Sequence, residues 1–355
     1  MLQRRWTLFR VVRINRWSLA LVLAGALALL LLPPSRLVPA AGTGEQRVAE
    51  GVTLLGRDFS GKTEAEAKAM LKGMRSALES PPINAREERD ARGIRLVTPE
   101  LNGLRLDVNA TWARLAAAPR NTRVEPAFQV ETPSRQLADY PLGVIHRGNP
   151  NKQAVTLMIN VDWGTPELEQ MLPILKQRGV KVTFFVSGTW AEKNRELLRR
   201  MAREGHEIAT HGHRLTHGPK ELAAAGRLKA DIAQSVAVIQ AITDQPVRYY
   251  APHMSEVSQA IVETASALGL RTVLPSLDTV DWHSQTTPQL ILSRLQKAGP
   301  GDLILLHPKP NTVQVLDTAI GQLEQRGLKP VTLSEMLSPD PEVPTAAAHP
   351  VLRTQ

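Results

Sequence analysis

The chain has 355 residues, 43% of them hydrophobic and 4% aromatic, with a formal charge of +9 and no cysteine. That is length enough for two domains with aliphatic cores, and it excludes disulfides, thiolate metal sites and cysteine nucleophiles, so any metal must sit on His, Asp or Glu. Arg4, Arg5, Arg10, Arg13 and Arg16 supply five of the charges with no acid among the first sixteen residues, and no basic run follows residue 36, which argues against a nucleic-acid partner. Next come the apolar run Trp17 to Leu32, Pro33-Pro34 and the small-residue stretch Pro39-Ala40-Ala41-Gly42, the order of an export signal. The run is at the short edge for a spanning helix, which needs ~20 apolar residues, and at the long edge for a cleavable signal core. Residues 1–43 therefore read either as a signal cleaved near Ala41 or as an uncleaved anchor with its arginines in the cytoplasm. In both cases the body of the protein is expected outside the cytoplasm, secreted or membrane-anchored, with the membrane a partner through this segment only.

Residues 44–132 read as a small α+β domain. A strand at Val52 to Leu55 precedes the turn cluster Asp58-Phe59-Ser60-Gly61-Lys62. Thr63-Glu64-Ala65-Glu66 is a cap signal for a helix reaching Leu78. Strand-like pieces follow at Ile94 to Thr98 and Leu104 to Val108, then a helical segment from Thr111 to Ala118. With GVTLLGRDFSGKTEAEAKAML at its head and LNGLRLDVNATWARLAA at its tail, this pattern resembles a peptidoglycan-binding domain found beside exported wall proteins. Without the resemblance it reads as a spacer that lifts the remainder off the membrane. Residues 133–150, with Pro133, Pro141 and Pro150, read as a polar linker, and the Pro/Ala-rich tail 338–355 as disordered.

Between these, residues 151–337 alternate strand and helix. Strands are predicted at Val155 to Val161, Val182 to Val186, Glu207 to Ala209, Val247 to Ala251, Thr272 to Leu277, Leu303 to His307 and Pro330 to Thr332. Helical spacing of Leu168, Met171, Leu172 and Leu175, and of Leu316, Ala319, Ile320 and Leu323, marks helices between them. About seven strands with intervening helices imply a parallel sheet buried on both faces. The expected fold is α/β, a distorted (β/α) barrel of about seven parallel strands with a small N-terminal α+β domain; an open doubly wound sheet is the alternative.

In a parallel barrel the site lies at the carboxyl ends of the strands. Those ends hold Asn160 and Asp162; His211, His213 and His217; His253; Asp278, Asp281 and Trp282; and His307. Five of the nine histidines gather there, and histidine with carboxylate is the ligand set of zinc or a similar divalent ion.

These residues carry a resemblance. Residues 150 to 337 are similar to the polysaccharide deacetylase domain (NodB-type, carbohydrate esterase family four), whose motifs appear in order as GHEIATHGH, PVRYYAPHM, SLDTVDWHS, LILLHPKPNTV and LKPVTLSEML. The resemblance implies a distorted (β/α) barrel, a divalent metal such as zinc or cobalt, and hydrolysis of acetyl groups on N-acetylated cell-wall polysaccharide or peptidoglycan. Carried over, the base falls on Asn160, the metal aspartate on Val161, the first metal histidine on His211, the acid on His307 and the acidic-Trp motif on Asp281 and Trp282, while the base-tuning arginine falls on Ala251. Pro252 and His253 belong to the same third motif and count as substrate-binding.

Several positions depart from the pattern. The second metal histidine should come four residues after His211, at Leu215. Either a two-residue insertion lets His217 take its place, or His213 and His217 form the pair at i, i+4 spacing. Asn160 has no carboxylate to hold a proton at neutral pH. Similar Met-Ile-Asn-Val and Ala-Pro substitutions mark a sporulation-associated subgroup. On a strand Asp162 shares a face with Asn160, so it reads either as a substitute ligand or base, or as a turn former before Trp163-Gly164. Trp163 and Trp282 read as apolar walls for sugar rings or as rim packing. Two functions follow from this: a deacetylase-type hydrolase of cell-wall glycans, or a catalytically impaired relative that binds peptidoglycan as a scaffold.

Overall fold

A computed structural model describes residues 45–214 and 216–341. The signal or anchor expected over 1–43, its Ala41 cleavage point, Leu215 and the tail from residue 342 onward lie outside the described residues.

In the first part of the chain, β1 (Thr53–Leu54) pairs antiparallel with β2 (Arg57–Asp58) and parallel with β6 (Arg123–Val124). The cap signal works as read: Thr63 and Glu66 form a reciprocal capping box on the helix Glu64–Gly73. That helix stops at Gly73 and the rest of the expected span to Leu78 forms a separate turn of helix, Arg75–Leu78; the next helix, Val108–Ala117, starts three residues earlier than its apolar pattern suggests because Asp107 accepts from the Ala110 N–H as N-cap. Val52, Leu54, Phe59, Leu71, Trp112 and Leu115 close the core between them. Beside this core lie the antiparallel pair β3 (Arg86–Arg89) and β4 (Arg95–Thr98), and the pair β5 (Gly103–Leu106) and β7 (Phe128–Glu131).

The stretch 133–150, expected as a polar linker, is built into the fold instead. It carries β8 (Val144–Ile145), fully buried, which pairs parallel with β4, and Ile145 bridges to Val273 in the half-barrel. The Arg271 guanidinium donates to the carbonyls of Leu137 and Tyr140, which fastens the segment further. Its apolar Val144-Ile145 pair outweighs the flanking prolines.

The strands of the second part are β9 (Ala154–Val161), β10 (Thr183–Val186), β11 (Glu207–Thr210), β12 (Tyr249–Tyr250), β13 (Arg271–Thr272), β14 (Leu277–Asp278), β15 (Leu303–Leu306) and β16 (Lys329–Pro330). Seven of them form a parallel sheet in the order β13-β12-β11-β10-β9-β15-β14, and β16 pairs with the first residues of β9. The α/β class and the sheet of seven parallel strands are as expected, and the distorted (β/α) barrel takes the form of a half-barrel. The predicted strand Thr272 to Leu277 is in fact two strands at opposite edges of the sheet. Only five residue steps join them, at most about 17 Å of chain, so covalent connection holds the two edges together.

The core residues sort by strand parity. Val155, Leu157, Ile159 and Val161 pack with Leu168, Met171, Leu172 and Leu175 of the helix Thr165–Arg178 and with its neighbours outside the sheet. Ala154 and Met158 join Phe185, Ala209, Tyr249 and Leu303 inside it. With period-two alternation, Asn160 therefore belongs to the inner face and Val161 to the helix layer.

Candidate functional site

The inner face of β9 ends at an open cavity of about 460 Å³ lined by Asn160, His211, His253, Asp278, Trp282 and His307, among others. Asn160 is 9% exposed, and its Oδ1 is buried without a hydrogen-bond partner among the described residues. Val161, the position matched to a metal aspartate, is fully buried in the helix-facing core, where a carboxylate would pay a heavy desolvation cost.

One step past β9, Asp162 meets His211. The His211 Nδ1 lies 2.6 Å from the Ala251 carbonyl, an acceptor only, so Nδ1 carries the proton and Nε2 keeps its lone pair. That Nε2 is 3.8 Å from Asp162 Oδ2 and 3.4 Å from His253 Nδ1. The other Asp162 oxygen, Oδ1, is buried with no partner among the described residues. Burial pushes His211 below the usual imidazole range, against the opposing pull of Asp162, which favours the neutral, ligand-competent ring. The loop bearing His211 is held from the helix Leu228–Thr243: Asp231 accepts from the His213 and Arg214 N–H groups, and Ser235 bonds the Thr210 hydroxyl.

The two other metal candidates lie elsewhere. His217 is 43% exposed and its Nδ1 sits 2.9 Å from Glu221. His213 is buried against Gly188 and is no member of the Asp162, His211 and His253 group. The expected pairings His211 with His217 and His213 with His217 are therefore both corrected. The i, i+4 argument assumed a helix, whereas His211, His213 and His217 all precede the helix Pro219–Ala224 and none of them is helical. Sequence reading gave His253 to substrate; its place directly after Pro252 at the end of β12 was the available signal for a ligand role.

On the other side of the cavity, Asp281 is 3% exposed and saturated. Its carboxylate accepts from His307 Nδ1 at 2.8 Å, from the His307 N–H at 2.6 Å and from the Thr312 hydroxyl at 2.7 Å. Aspartate on Nδ1 leaves Nε2 of His307 as the nitrogen available for proton exchange. Val280, just before Asp281, has φ +60, a strained conformation for a β-branched residue that costs of order 1–3 kcal/mol. Val280 is held there because its N–H donates to Asp278 Oδ1 and its carbonyl accepts from Thr286. Trp163 stacks on His307 at 5.8 Å and 15°, with Lys309 Nζ 4.2 Å from the indole centroid. Gly164 is left-handed, and a Cβ there would lie 2.4 Å from the Pro308 carbonyl oxygen, which locks the two loops. Trp282, 48% exposed, donates its indole N–H to Asp278, another of the strand-end carboxylates.

The polysaccharide deacetylase family model matches residues 147–273. A peptidoglycan-N-acetylglucosamine deacetylase of Bacillus cereus is 30% identical over 205 residues, covering 55% of this chain and 72% of that protein. The chain belongs to the polysaccharide deacetylase family. Another relative, the Bacillus subtilis protein called uncharacterized protein YlxY, is 29% identical over 259 residues, 73% of this chain and 79% of its own. Among solved structures, the Bacillus anthracis protein BA3943, described as a CE4 family pseudoenzyme, superposes with TM-score 0.66 at 28% identity over 78% of this chain and 96% of that one. A mutant of BA3943 is described as having restored enzymatic activity. In this member of the deacetylase family, the donor set of one carboxylate and two imidazoles, with one orphaned carboxylate oxygen, fits a divalent cation.

Proposed function

We propose that this chain works outside the cytoplasm as a binder of N-acetylated cell-wall glycan, a deacetylase-family protein whose hydrolytic turnover is suppressed. The observation that carries this reading is Asn160. A neutral amide on the inner wall, with its oxygen buried and unpaired, replaces the carboxylate that would accept a proton. Loss of a general base commonly costs ~10² to 10⁴ in rate. The likeness to BA3943, described as a pseudoenzyme, supports the same conclusion, and peptidoglycan deacetylases among the relatives support the glycan class.

Asp162, His211 and His253 would hold a divalent cation, zinc or cobalt, which when bound would polarise an acyl oxygen. Asp281 orients His307 so that Nε2 can hold a proton toward a glycan nitrogen. Trp282 in the cavity wall, 48% exposed, presents an indole face for a sugar ring, and Trp163, 41% exposed, backs His307 beside it. The arginine-led apolar segment supports export and a membrane association, and residues 44–132 act as a second wall-facing unit.

A second reading rests on Asp162. Its unpaired oxygen, beside His211, could take over as base and sustain slow hydrolysis. Purified protein given peptidoglycan with zinc or cobalt decides between the two. The binding reading expects retention on the polymer with no acetate above a chelated control, and acetate release only after Asn160→Asp. Acetate from the unaltered chain that disappears in His307→Ala would return the hydrolase.

A further inference from the structure

We infer that the third cation ligand is His253, supplied by the lip after β12, and that the cation thereby latches this lip in place, so that glycan retention depends on the cation although turnover does not follow. The inference rests on the glycan-binding reading and adds its control.

Two ligand atoms of a tetrahedral site with bonds near 2.0–2.1 Å lie about 3.3 Å apart. The His211 Nε2 to His253 Nδ1 separation of 3.4 Å is close to that edge, and Asp162 Oδ2 at 3.8 Å from His211 is within a small side-chain adjustment of it. His217 is turned to Glu221 on the surface. The lip also grips His211 from behind, because the Ala251 carbonyl accepts the Nδ1–H while His253 faces the same ring from the front. One stretch, residues 251–253, thus supplies both a ligand and the group that orients the neighbouring ligand.

The lip has a reason to need a latch. Met254 and Ser255 are both left-handed, with φ +55 and +52, which non-glycine residues adopt at a cost. Within the lip only two turn bonds are made, Ser255 N–H to the Pro252 carbonyl and Glu256 N–H to the His253 carbonyl. Met254 is 76% exposed and lines the cavity with Trp282, so release of His253 would remove that wall.

The test uses the full chain, its His253→Ala and His217→Ala variants, zinc titration by calorimetry, and retention on insoluble peptidoglycan with zinc or with chelator. Melts in chelator confirm that the variants are folded. Zinc binding is expected to survive His217→Ala and to be lost in His253→Ala. Retention should fall by about tenfold on chelation, as when the competent lip drops to a tenth of the population, and should recover with zinc. Zinc lost in His217→Ala but kept in His253→Ala overturns the ligand assignment. Equal retention with and without chelator overturns the latch while leaving glycan binding intact. No retention by the unaltered chain even with zinc bound overturns the glycan-binding reading itself, and the zinc data still decide the ligand.

Discussion

On the β15 side of the cleft, one buried carboxylate accepts three hydrogen bonds and holds His307 in a single orientation. On the β9 side, Asn160 and Asp162 each keep a buried oxygen with no partner among the described residues. A satisfied network rigidifies its members, whereas an unsatisfied buried oxygen costs stability unless something else supplies a partner. The contrast separates two halves of one site. The half built on Asp281 and His307 is complete as a protein structure, and the half built on Asp162 and His211 is poised for a ligand beside the amide of Asn160.

Five measurements would break or sharpen this contrast. The largest effect is expected from Asp281→Ala, which strands three donors and should cost about 3–5 kcal/mol in urea unfolding. Asp162→Ala under the same conditions, in chelator, should stay within about 1 kcal/mol because one of its oxygens has no partner and the other makes only a 3.8 Å contact with His211; equal costs at the two positions would erase the distinction. Next comes pH. His206, behind the sheet, accepts the Val182 N–H and is pushed by burial to about 4. Its folded value lies below the unfolded one, so the unfolded chain takes up the proton first as pH falls. Stability should drop by roughly 3 kcal/mol between about pH 6.5 and 4, and thermal melts of His206→Asn should show a flatter profile; an unchanged slope would reassign the effect to the cleft. Trp163→Ala removes the stack on His307 and the Lys309 contact, and should cost about 1 kcal/mol together with weaker retention on peptidoglycan. His217→Ala, a surface pair with Glu221, should change stability by no more than about 0.5 kcal/mol.

Much of the half-barrel was legible because its long helices carry helical apolar spacing and its central strand is a near-continuous apolar run buried along its whole length, as in the helix Thr165–Arg178 and β9. Two-residue strands such as β6, β8 and β13 have no period to read, so the linker hid β8 and one predicted strand hid both sheet edges. In the site, Asn160, Asp162, His211, His253, Asp278, Trp282 and His307 were all found as strand-end residues. The partner of each was not, since His253 reaches His211 across 42 positions and Thr312 reaches Asp281 across 31.

By itself the sequence determined the family, the alternation of strand and helix in the half-barrel, the absence of thiol chemistry and the amide at position 160, because each of these is a local pattern or a residue identity. Only the tertiary structure decided which imidazoles meet. That choice depends on where strand ends converge and on whether His211, His213 and His217 sit on a helix, and neither is encoded in the spacing of the histidines.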